Sequence, residues 1–162
     1  MEKLHVYTYI CIVKLEEAIK TRNFSSLKQK AALNIMYVGY LVKKQSSDAL
    51  KDFGLTPEQF NVLRILKGSY PEVLCVKEIA SRMIEKSSNV PRIVDRLEIK
   101  KLAKRSVSEA DRRETSISIT QAGINILEMI NPIINKSGDN FCKLSDKDLM
   151  LLNDLLDRFF SE

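Results

Sequence analysis

The sequence predicts a mainly α-helical fold that carries one small β-hairpin, and three observations indicate it. Glycine and proline number only five and four among 162 residues, which is too few for a fold with many turns. Apolar residues recur at helical spacing along most of the chain. Residues 104–108 and 114–119 instead alternate in polarity around a charged turn, as the strands of a hairpin do. With 44% hydrophobic residues, the chain has enough apolar side chains for a core.

Two helices are predicted in the first third of the chain. Residues 4–22 form the first helix, and residues 23–26 supply a break and a choice of N-cap for the second. The second helix runs over residues 27–52, where apolar residues return at roughly helical spacing. Gly54 follows at the place where the glycine of a helix C-cap is expected.

The next helix opens with a capping box. Thr56 is its N-cap, Pro57 lies in its first turn, and Gln59 is the partner of the box. The residues after Gln59 are strongly apolar, so we expect this helix at the centre of the core. The stretch of residues 68–71 ends it.

Two shorter helices follow. An extended run at residues 73–75 leads into a helix at 77–83, and a turn then leads into a helix at 88–100. We expect Ser88 to be the N-cap of this second helix, which puts Pro91 at its third position. Proline is tolerated there, but it gives up a backbone N–H that a cap or a phosphate could use.

The predicted hairpin has its apolar residues at Val107, Ile117 and Ile119, and we expect them to face the body of the protein. Its turn is the charged stretch 109–113, which must therefore project from the body.

Two helices complete the chain. Thr120 caps a helix over residues 121–137, and Ser145 caps a last helix that runs to Phe160. One side of the last helix is apolar and carries Leu149, Leu152, Leu155, Leu156 and Phe159.

The excess positive charge of the chain lies in one segment of 28 residues, 86–113. It holds nine basic and four acidic residues, and this difference equals the formal net charge of +5 of the whole chain. A neutral body with one basic segment is typical of a surface that docks on a polyanion, because each phosphate contact releases condensed counterions.

The helix over residues 88–100 has two different faces. Apolar residues recur on one face at Val90, Ile93, Val94 and Leu97, so this face is predicted to pack inward. The polar side chains predicted to contact DNA from this helix are Ser87, Ser88, Asn89, Arg92 and Arg96. An amide can pair with an adenine edge, and a guanidinium with a guanine edge or a phosphate. The alternative is a merely solvated helix face, and the basic hairpin that follows favours DNA.

Helix, short helix, turn, helix and hairpin follow one another in the order of a winged helix-turn-helix. At these residues the chain resembles the MarR family of bacterial transcriptional regulators. The motifs that carry the resemblance are Gly54–Phe60, Glu78–Ala80, Val94–Glu98, Asp111–Arg113 and Ile119–Gly123. The resemblance covers residues 26–137, and the order of the motifs is more specific than any one of them.

The resemblance implies a homodimer whose first and last helices interlock, with two winged domains that read a pseudo-palindrome. The wing residue that matches Arg113 lies in the minor groove, where the match of Asp111 steadies it, and Arg112 adjoins them at the tip. The residues that match Ser88, Asn89 and Arg92 lie in the major groove. Two features depart from the family pattern: a proline at position 91, and an N-terminal extension over residues 1–22.

We therefore expect N-terminal dimerisation helices at residues 1–52, a winged DNA-binding domain at 53–120 and C-terminal dimerisation helices at 121–162. The partners implied are double-stranded DNA, a second copy of the chain and a small-molecule effector that releases a repressor from its operator. The rival hypothesis is a winged-helix protein-interaction module without DNA binding.

Other classes of function find little support in the sequence. His5 is the only histidine, and no cysteine or carboxylate cluster around it has metal-ligand spacing. No glycine-rich phosphate loop is present, and no motif pairs a nucleophile with a base, so we expect neither an enzyme nor a cofactor. No stretch approaches the ~18 apolar residues of a membrane span. Three scattered cysteines fit a reducing cytoplasm better than a disulfide framework.

Two further side-chain groups leave alternatives open. Cys11 is either a buried structural thiol or, less in keeping with the family pattern, a redox sensor. Met36, Tyr37 and Tyr40 either line a ligand pocket near the dimer interface or belong to the core or to the interface itself.

Overall fold

The computed structural model describes residues 13–21, 23–86, 88–107 and 115–159. Its helices are α1 Leu15–Ala18, α2 Leu27–Leu50, α3 Pro57–Ser69, α4 Val76–Arg82, α5 Val90–Ile99, α6 Gln121–Phe141 and α7 Asp146–Phe159. Its strands are β1 Leu74–Cys75, β2 Ala103–Val107 and β3 Thr115–Ile119. The prediction of a mainly α-helical fold with a small β element is confirmed.

The chain divides into two compact units, the first ending at Lys44 and the second beginning at Gln45. Within the first unit, the Lys30 ammonium pairs with the Glu16 carboxylate and lies 5.4 Å from the centre of the Phe24 ring. The hydrogen bond from Lys30 is the main cause that lowers the pKa of the Glu16 carboxyl below its ordinary value.

The first helix ends earlier than residue 22, where the prediction of residues 4–22 put its C-terminal end. Helix α1 ends at Ala18, and Lys20 has a φ of 53°, a left-handed conformation that does not continue a helix. The part of the prediction that precedes residue 13 lies outside the described residues. The second helix agrees well with its prediction, since α2 runs to Leu50 and a 3-10 turn continues to Phe53.

The capping predictions at the start of α3 are confirmed. Gly54 adopts a left-handed φ of 62° and ends the preceding turn, as a C-cap glycine does. Thr56 Oγ1 accepts a hydrogen bond from the Gln59 N–H, and Gln59 returns one by accepting from the Thr56 N–H. Pro57 occupies the first helical turn.

The three strands form one antiparallel sheet in the order β1-β3-β2. The hairpin β2–β3 was predicted, whereas the pairing of β1 with β3 was not. Ile117 of β3 lies between Leu74 of β1 and Arg105 of β2, and its side chain is fully buried. The sheet thereby joins the hairpin to the strand that precedes α4.

One apolar prediction for the hairpin is wrong. Ile117 and Ile119 are buried, but the side chain of Val107 is 67% exposed. Val107 pairs with the exposed Thr115 at the far end of the ladder, where β2 has passed the helices that cover its beginning at Ala103.

The core of the second unit lies between α3, α4, α5, the sheet and the first half of α6. Its fully buried side chains are Leu50, Val62, Leu63, Leu66, Ile79, Met83, Val90, Val94, Leu97, Ile117 and Ile130. Helix α3 supplies three of these residues, so the prediction that it is central to the core is confirmed.

The last two helices begin at their predicted caps. Thr120 Oγ1 accepts from the Gly123 N–H at 3.1 Å, and Ser145 Oγ accepts from the Asp148 N–H at 3.3 Å. Helix α6 continues through Pro132 to Phe141, beyond the predicted end at residue 137. Within the described part of the chain, no helix combines the length and the apolar character that crossing a membrane requires.

Candidate nucleic-acid interface

Helices α4 and α5 form a helix-turn-helix that rests on α3. The first helix of the pair begins at a cap in which Glu78 Oε2 accepts from the Cys75 N–H at 2.7 Å. This backbone hydrogen bond is the main cause that lowers the pKa of the Glu78 carboxyl. A lowered pKa in the folded state means that this cap stabilises α4 above the ordinary pKa and is lost as the pH falls through the folded value.

The turn between the two helices is held from both sides. Met83 is buried in the core, and the next residue, Ile84, donates its N–H to Asn61 Oδ1 of α3 at 3.2 Å. Lys86 Nζ donates to the carbonyl of Ser81 near the end of α4. The turn therefore fixes where α5 begins relative to α3 and α4.

Helix α5 has the two faces that the sequence predicts. Val90, Val94 and Leu97 are fully buried against the neighbouring helices. Arg92 and Arg96 are exposed, and they are four residues apart, so they lie one turn above each other on the outer face.

The N-cap of α5 is Asn89 rather than the predicted Ser88. Asn89 Oδ1 accepts from the Arg92 N–H at 3.2 Å. The Ser88 N–H donates to the Glu85 carbonyl at 3.1 Å and closes the turn that precedes the helix. Pro91 therefore occupies the second helical position and not the third. The N–H that proline lacks has no intrahelical partner at either position, so the proline fits the first turn of this helix.

The structure places the predicted contact residues of α5 in different settings. The Ser88 hydroxyl is buried and has no hydrogen-bond partner within the described part of the chain. The Asn89 side chain is exposed and uses its oxygen for the cap, which leaves its NH₂ group as a donor. Arg92 and Arg96 present their guanidinium groups to solvent. The other predicted residues, Ser87, Asp111, Arg112 and Arg113, lie outside the described residues.

Arg105 of β2 makes a network with α5 that the sequence reasoning missed. Its Nη1 pairs with Asp95 Oδ1 and with Glu98 Oε2, the latter at 2.7 Å. Its Nη2 donates to the Pro91 carbonyl at 3.1 Å, and its backbone N–H donates to Glu98 Oε1 at 2.9 Å. The sequence pattern that could have indicated this network is the pair Asp95 and Glu98, three residues apart on the helix, followed by the basic Arg105 in the adjoining strand.

Lys100 at the end of α5 is also engaged with the fold. Its Nζ donates to the Gly54 carbonyl and lies 3.3 Å from Gln59 Oε1 at the start of α3. Beside it, Arg96 and Thr56 line a shallow open cleft.

The network and the Lys100 contacts change how the basic segment is interpreted. The positive charge of Arg105 is offset by two carboxylates, and the Lys100 ammonium donates a hydrogen bond to a backbone carbonyl. Arg92 and Arg96 remain exposed, and they give the outer face of α5 a positive charge.

The groups that the sequence left open are located as follows. Met36 and Tyr40 of α2 are exposed and Tyr37 is half-buried, so they are not core residues of the single chain. Cys75 and Cys142 are free thiols, and Cys11 lies outside the described residues. Among the side chains that the structure describes, no three metal-ligating groups come together.

Residues 55–115 match the model of the family described as the MarR family. Over 108 residues the chain is 33% identical to the HTH-type transcriptional regulator MhqR of Bacillus subtilis, a match that covers 65% of this chain and 72% of MhqR. Over 104 residues it is 34% identical to the HTH-type transcriptional repressor MdtR of the same species, with 63% and 64% of the two chains covered.

Solved structures share the fold. The crystal structure of the Staphylococcus aureus MepR–DNA complex superposes with a TM-score of 0.71 at 23% identity, covering 78% of this chain and 93% of MepR. A transcriptional regulator of the MarR family from Rhodococcus sp. RHA1 superposes with a TM-score of 0.71 at 22% identity, covering 85% and 97%. The winged helix-turn-helix predicted from the sequence is therefore confirmed.

Proposed function

Because the chain belongs to the MarR family, we propose that it is a transcriptional regulator that binds duplex DNA at specific sequences. It acts as a homodimer on a pseudo-palindromic operator, in which each protomer reads one half-site.

The two-faced character of α5 is the observation that carries this proposal. Its inner face is fixed in the core, so its outer face is presented by a rigid body rather than by a loose helix. An α-helix fits the major groove of B-DNA, where Arg92 and Arg96 reach guanine edges or phosphates. The NH₂ group of Asn89 is a further donor at the same end of the helix, and Ser87 and Ser88 precede Asn89 in the sequence.

The hairpin supplies the second contact. We propose that Arg113 enters the minor groove beside the half-site and that Asp111 orients it, with Arg112 on the neighbouring phosphates. Support comes from the resemblance of these residues to the wing of the family and from the position of β2 next to α5. A narrow minor groove favours arginine because its negative potential is enhanced and guanidinium loses water readily.

The dimer is formed by the segments on either side of the winged domain at residues 53–120. We propose that residues 1–52 and 121–162 carry the interface. In the single chain, α7 leaves Leu151, Leu155 and Phe159 exposed on a helix of only 14 residues. Exposed apolar side chains at this density are typical of a surface that another protein covers.

We propose that the regulator is a repressor and that a small molecule lowers its affinity for DNA. MdtR is named a repressor, CouR was solved with p-coumaroyl-CoA, and the DNA binding of BpsR is regulated by 6-hydroxynicotinic acid. Aromatic acids and CoA thioesters of aromatic acids are therefore the first effectors to test. The protein acts without catalysis, in the cytoplasm, where a bacterial chromosome lies.

A salt titration tests the proposal. The protein is titrated into fluorescent duplex DNA of random sequence and into a duplex that it has selected in vitro from a random pool. We expect binding to both, tighter for the selected duplex, with log K falling linearly against log salt by about 0.9 per phosphate contact. Arg92→Ala and Arg96→Ala should each weaken binding to the selected duplex by about 1–3 kcal/mol.

Arg64→Ala is the matched control. It removes an exposed guanidinium from α3, outside the helix-turn-helix, and should leave binding to the selected duplex unchanged. Failure of the folded wild-type protein to bind either duplex would refute the proposal and leave the protein-interaction module as the better hypothesis.

A further inference from the structure

We propose that Arg105 is a positioning residue, which holds the hairpin β2–β3 against α5 so that both elements meet DNA as one rigid unit. The inference rests on the proposed function, since it concerns how the two DNA-reading elements are aligned. Arg105 lies at the centre of β2, between the body of the protein and the predicted tip of the wing.

The contacts of Arg105 follow α5 over most of its length. They reach the carbonyl of Pro91 in the first turn, the Asp95 carboxylate in the second and the Glu98 carboxylate near the end of the helix. The first and last of these acceptor residues are seven residues apart, or about 10 Å along the helix axis. A single side chain thus restrains both the distance and the angle between strand and helix.

The chemistry of these contacts requires arginine. A guanidinium presents several N–H donors in one plane and can serve two carboxylates and a carbonyl together, whereas an ammonium is a point charge on a flexible stem. Glu98 adds a second restraint because its other oxygen accepts the backbone N–H of Arg105 at 2.9 Å. The carboxylate thereby holds strand and side chain at once.

Arg105 is poorly suited to hold DNA itself. Its side chain is only 30% exposed, and two carboxylates offset its charge. The fold does not depend on it alone, because β3 also pairs with β1 and buries Ile117 and Ile119 in the core. Loss of the side chain is therefore expected to loosen the angle of the hairpin and leave the domain folded.

The test compares Arg105→Gln and Arg105→Lys with wild type on a duplex that the wild-type protein selects from a random pool. Lys104→Gln is the matched control, since Lys104 is the exposed neighbour on the opposite face of β2. The measurements are affinity, salt slope, methylation interference in the central major grooves and hydroxyl-radical protection in the flanking minor grooves. Melting temperature and dimer mass report the fold.

We expect Arg105→Gln to weaken binding by about tenfold and to make the salt slope shallower, because the wing arginines lose their contacts with the DNA. Flanking minor-groove protection should disappear while central major-groove interference remains. Arg105→Lys should recover part of the affinity and of the flanking protection, and Lys104→Gln should keep both protection patterns.

Three outcomes overturn the inference. A folded Arg105→Gln dimer with wild-type affinity and flanking protection shows that the network does not position the hairpin. A salt slope that becomes shallower by about one unit, with both patterns kept, identifies Arg105 as a phosphate contact instead. Equal loss of central and flanking contacts shows a general structural role.

If Arg105→Gln does not fold, Arg105→Lys decides by the same criteria, because it keeps the charge and nearly the length of the side chain. A wild-type protein that selects no duplex refutes the proposed function, and that result is distinct from each outcome for the variants.

Discussion

At the scale of single residues, Asn89 combines two roles in one carboxamide. Its oxygen caps α5 by accepting from the Arg92 N–H, and its NH₂ group is exposed beside the outer face of the helix. An asparagine at this position can therefore stabilise the recognition helix and donate to a base edge at the same time. The two roles are separable, because serine caps a helix about as well as asparagine but has no amide.

We predict that Asn89→Ser keeps stability and loses base preference, while Asn89→Ala loses both. The alanine variant should be less stable by about 1 kcal/mol because the cap is absent. Both variants should discriminate less at one base pair of each half-site, by about 1–3 kcal/mol. Urea denaturation and binding to a series of singly substituted duplexes measure the two effects. A serine variant with wild-type base preference would restrict Asn89 to capping.

Arg113 is predicted to be the strongest single contact of the wing. Arg113→Ala should weaken binding to the selected duplex by about tenfold or more and make the salt slope shallower by about one unit. The cause is the loss of one guanidinium from a narrow minor groove. Fluorescence anisotropy over a range of salt concentrations measures both quantities. Unchanged affinity in a folded dimer would mean that the turn is only a solvated hairpin tip.

Features of the site that depend on neighbouring residues were predictable from the sequence, and contacts between residues far apart in the sequence were not. The exposure of Arg92 and Arg96 was predictable because helical periodicity assigns each residue to a face. The role of Arg105 was not predictable, because it depends on how β2 packs on α5, and the sequence shows Arg105 only as one basic residue of the segment 86–113. The cap was missed for a subtler reason, since Ser88 and Asn89 are equally good caps and the preceding turn decides between them.

At the scale of elements, the start of α6 explains why the sequence has glycine three residues after Thr120. Thr120 Oγ1 donates to the Lys101 carbonyl at 2.7 Å and accepts from the Gly123 N–H. The helix is thereby drawn onto the loop that precedes β2. A Cβ atom at position 123 would lie 2.2 Å from the Leu102 carbonyl oxygen and 2.7 Å from Ile119 Cγ1.

We predict that Gly123→Ala destabilises the protein by about 1–3 kcal/mol, because backbone atoms must move to admit the methyl group. Gly68→Ala is the control, since nothing lies within 4 Å of its Cβ position and alanine favours a helix by about 1 kcal/mol. Urea denaturation of both variants gives the comparison. Equal stability of Gly123→Ala and wild type would show that the junction between loop and helix is soft.

The elements themselves were predictable where local chemistry determines them. The capping box of Thr56 and Gln59, the left-handed Gly54 and the cap at Thr120 follow from short-range patterns, and all of them are present. Strand β1 has only two residues, and its pairing with β3 joins positions about forty residues apart, so local patterning gave no register. The prediction for Val107 was wrong because alternation identifies which face of a strand a residue lies on. It does not show where the helices that cover that face end.

At the scale of the whole molecule, the winged domain buries its apolar core residues, whereas α7 leaves the residues of its apolar side partly exposed. Val62, Leu63 and Leu66 of α3 are buried, whereas Leu152, Leu155 and Phe159 of α7 are each more than a third exposed. A helix of 14 residues is marginal in water unless its apolar side is covered. The homodimer proposed for the chain supplies that cover.

We predict that Leu155→Glu dissociates the dimer. Its side chain is 48% exposed in the single chain, and an unpaired carboxylate buried at an interface costs several kcal/mol. The dimer Kd should therefore rise by about a hundredfold or more. Binding to the selected duplex should fall with it, because a monomer occupies one half-site and loses the contribution of the second.

Asn153→Glu is the matched control, because it adds the same charge at an exposed polar position two residues away, on a different side of α7. Sedimentation at micromolar protein concentration should show wild type and Asn153→Glu as dimers and Leu155→Glu as a monomer. Helix content and melting of the second unit separate dissociation from unfolding. A dimeric Leu155→Glu protein would place the interface on other helices, and a monomeric wild-type protein would remove the basis for two half-sites.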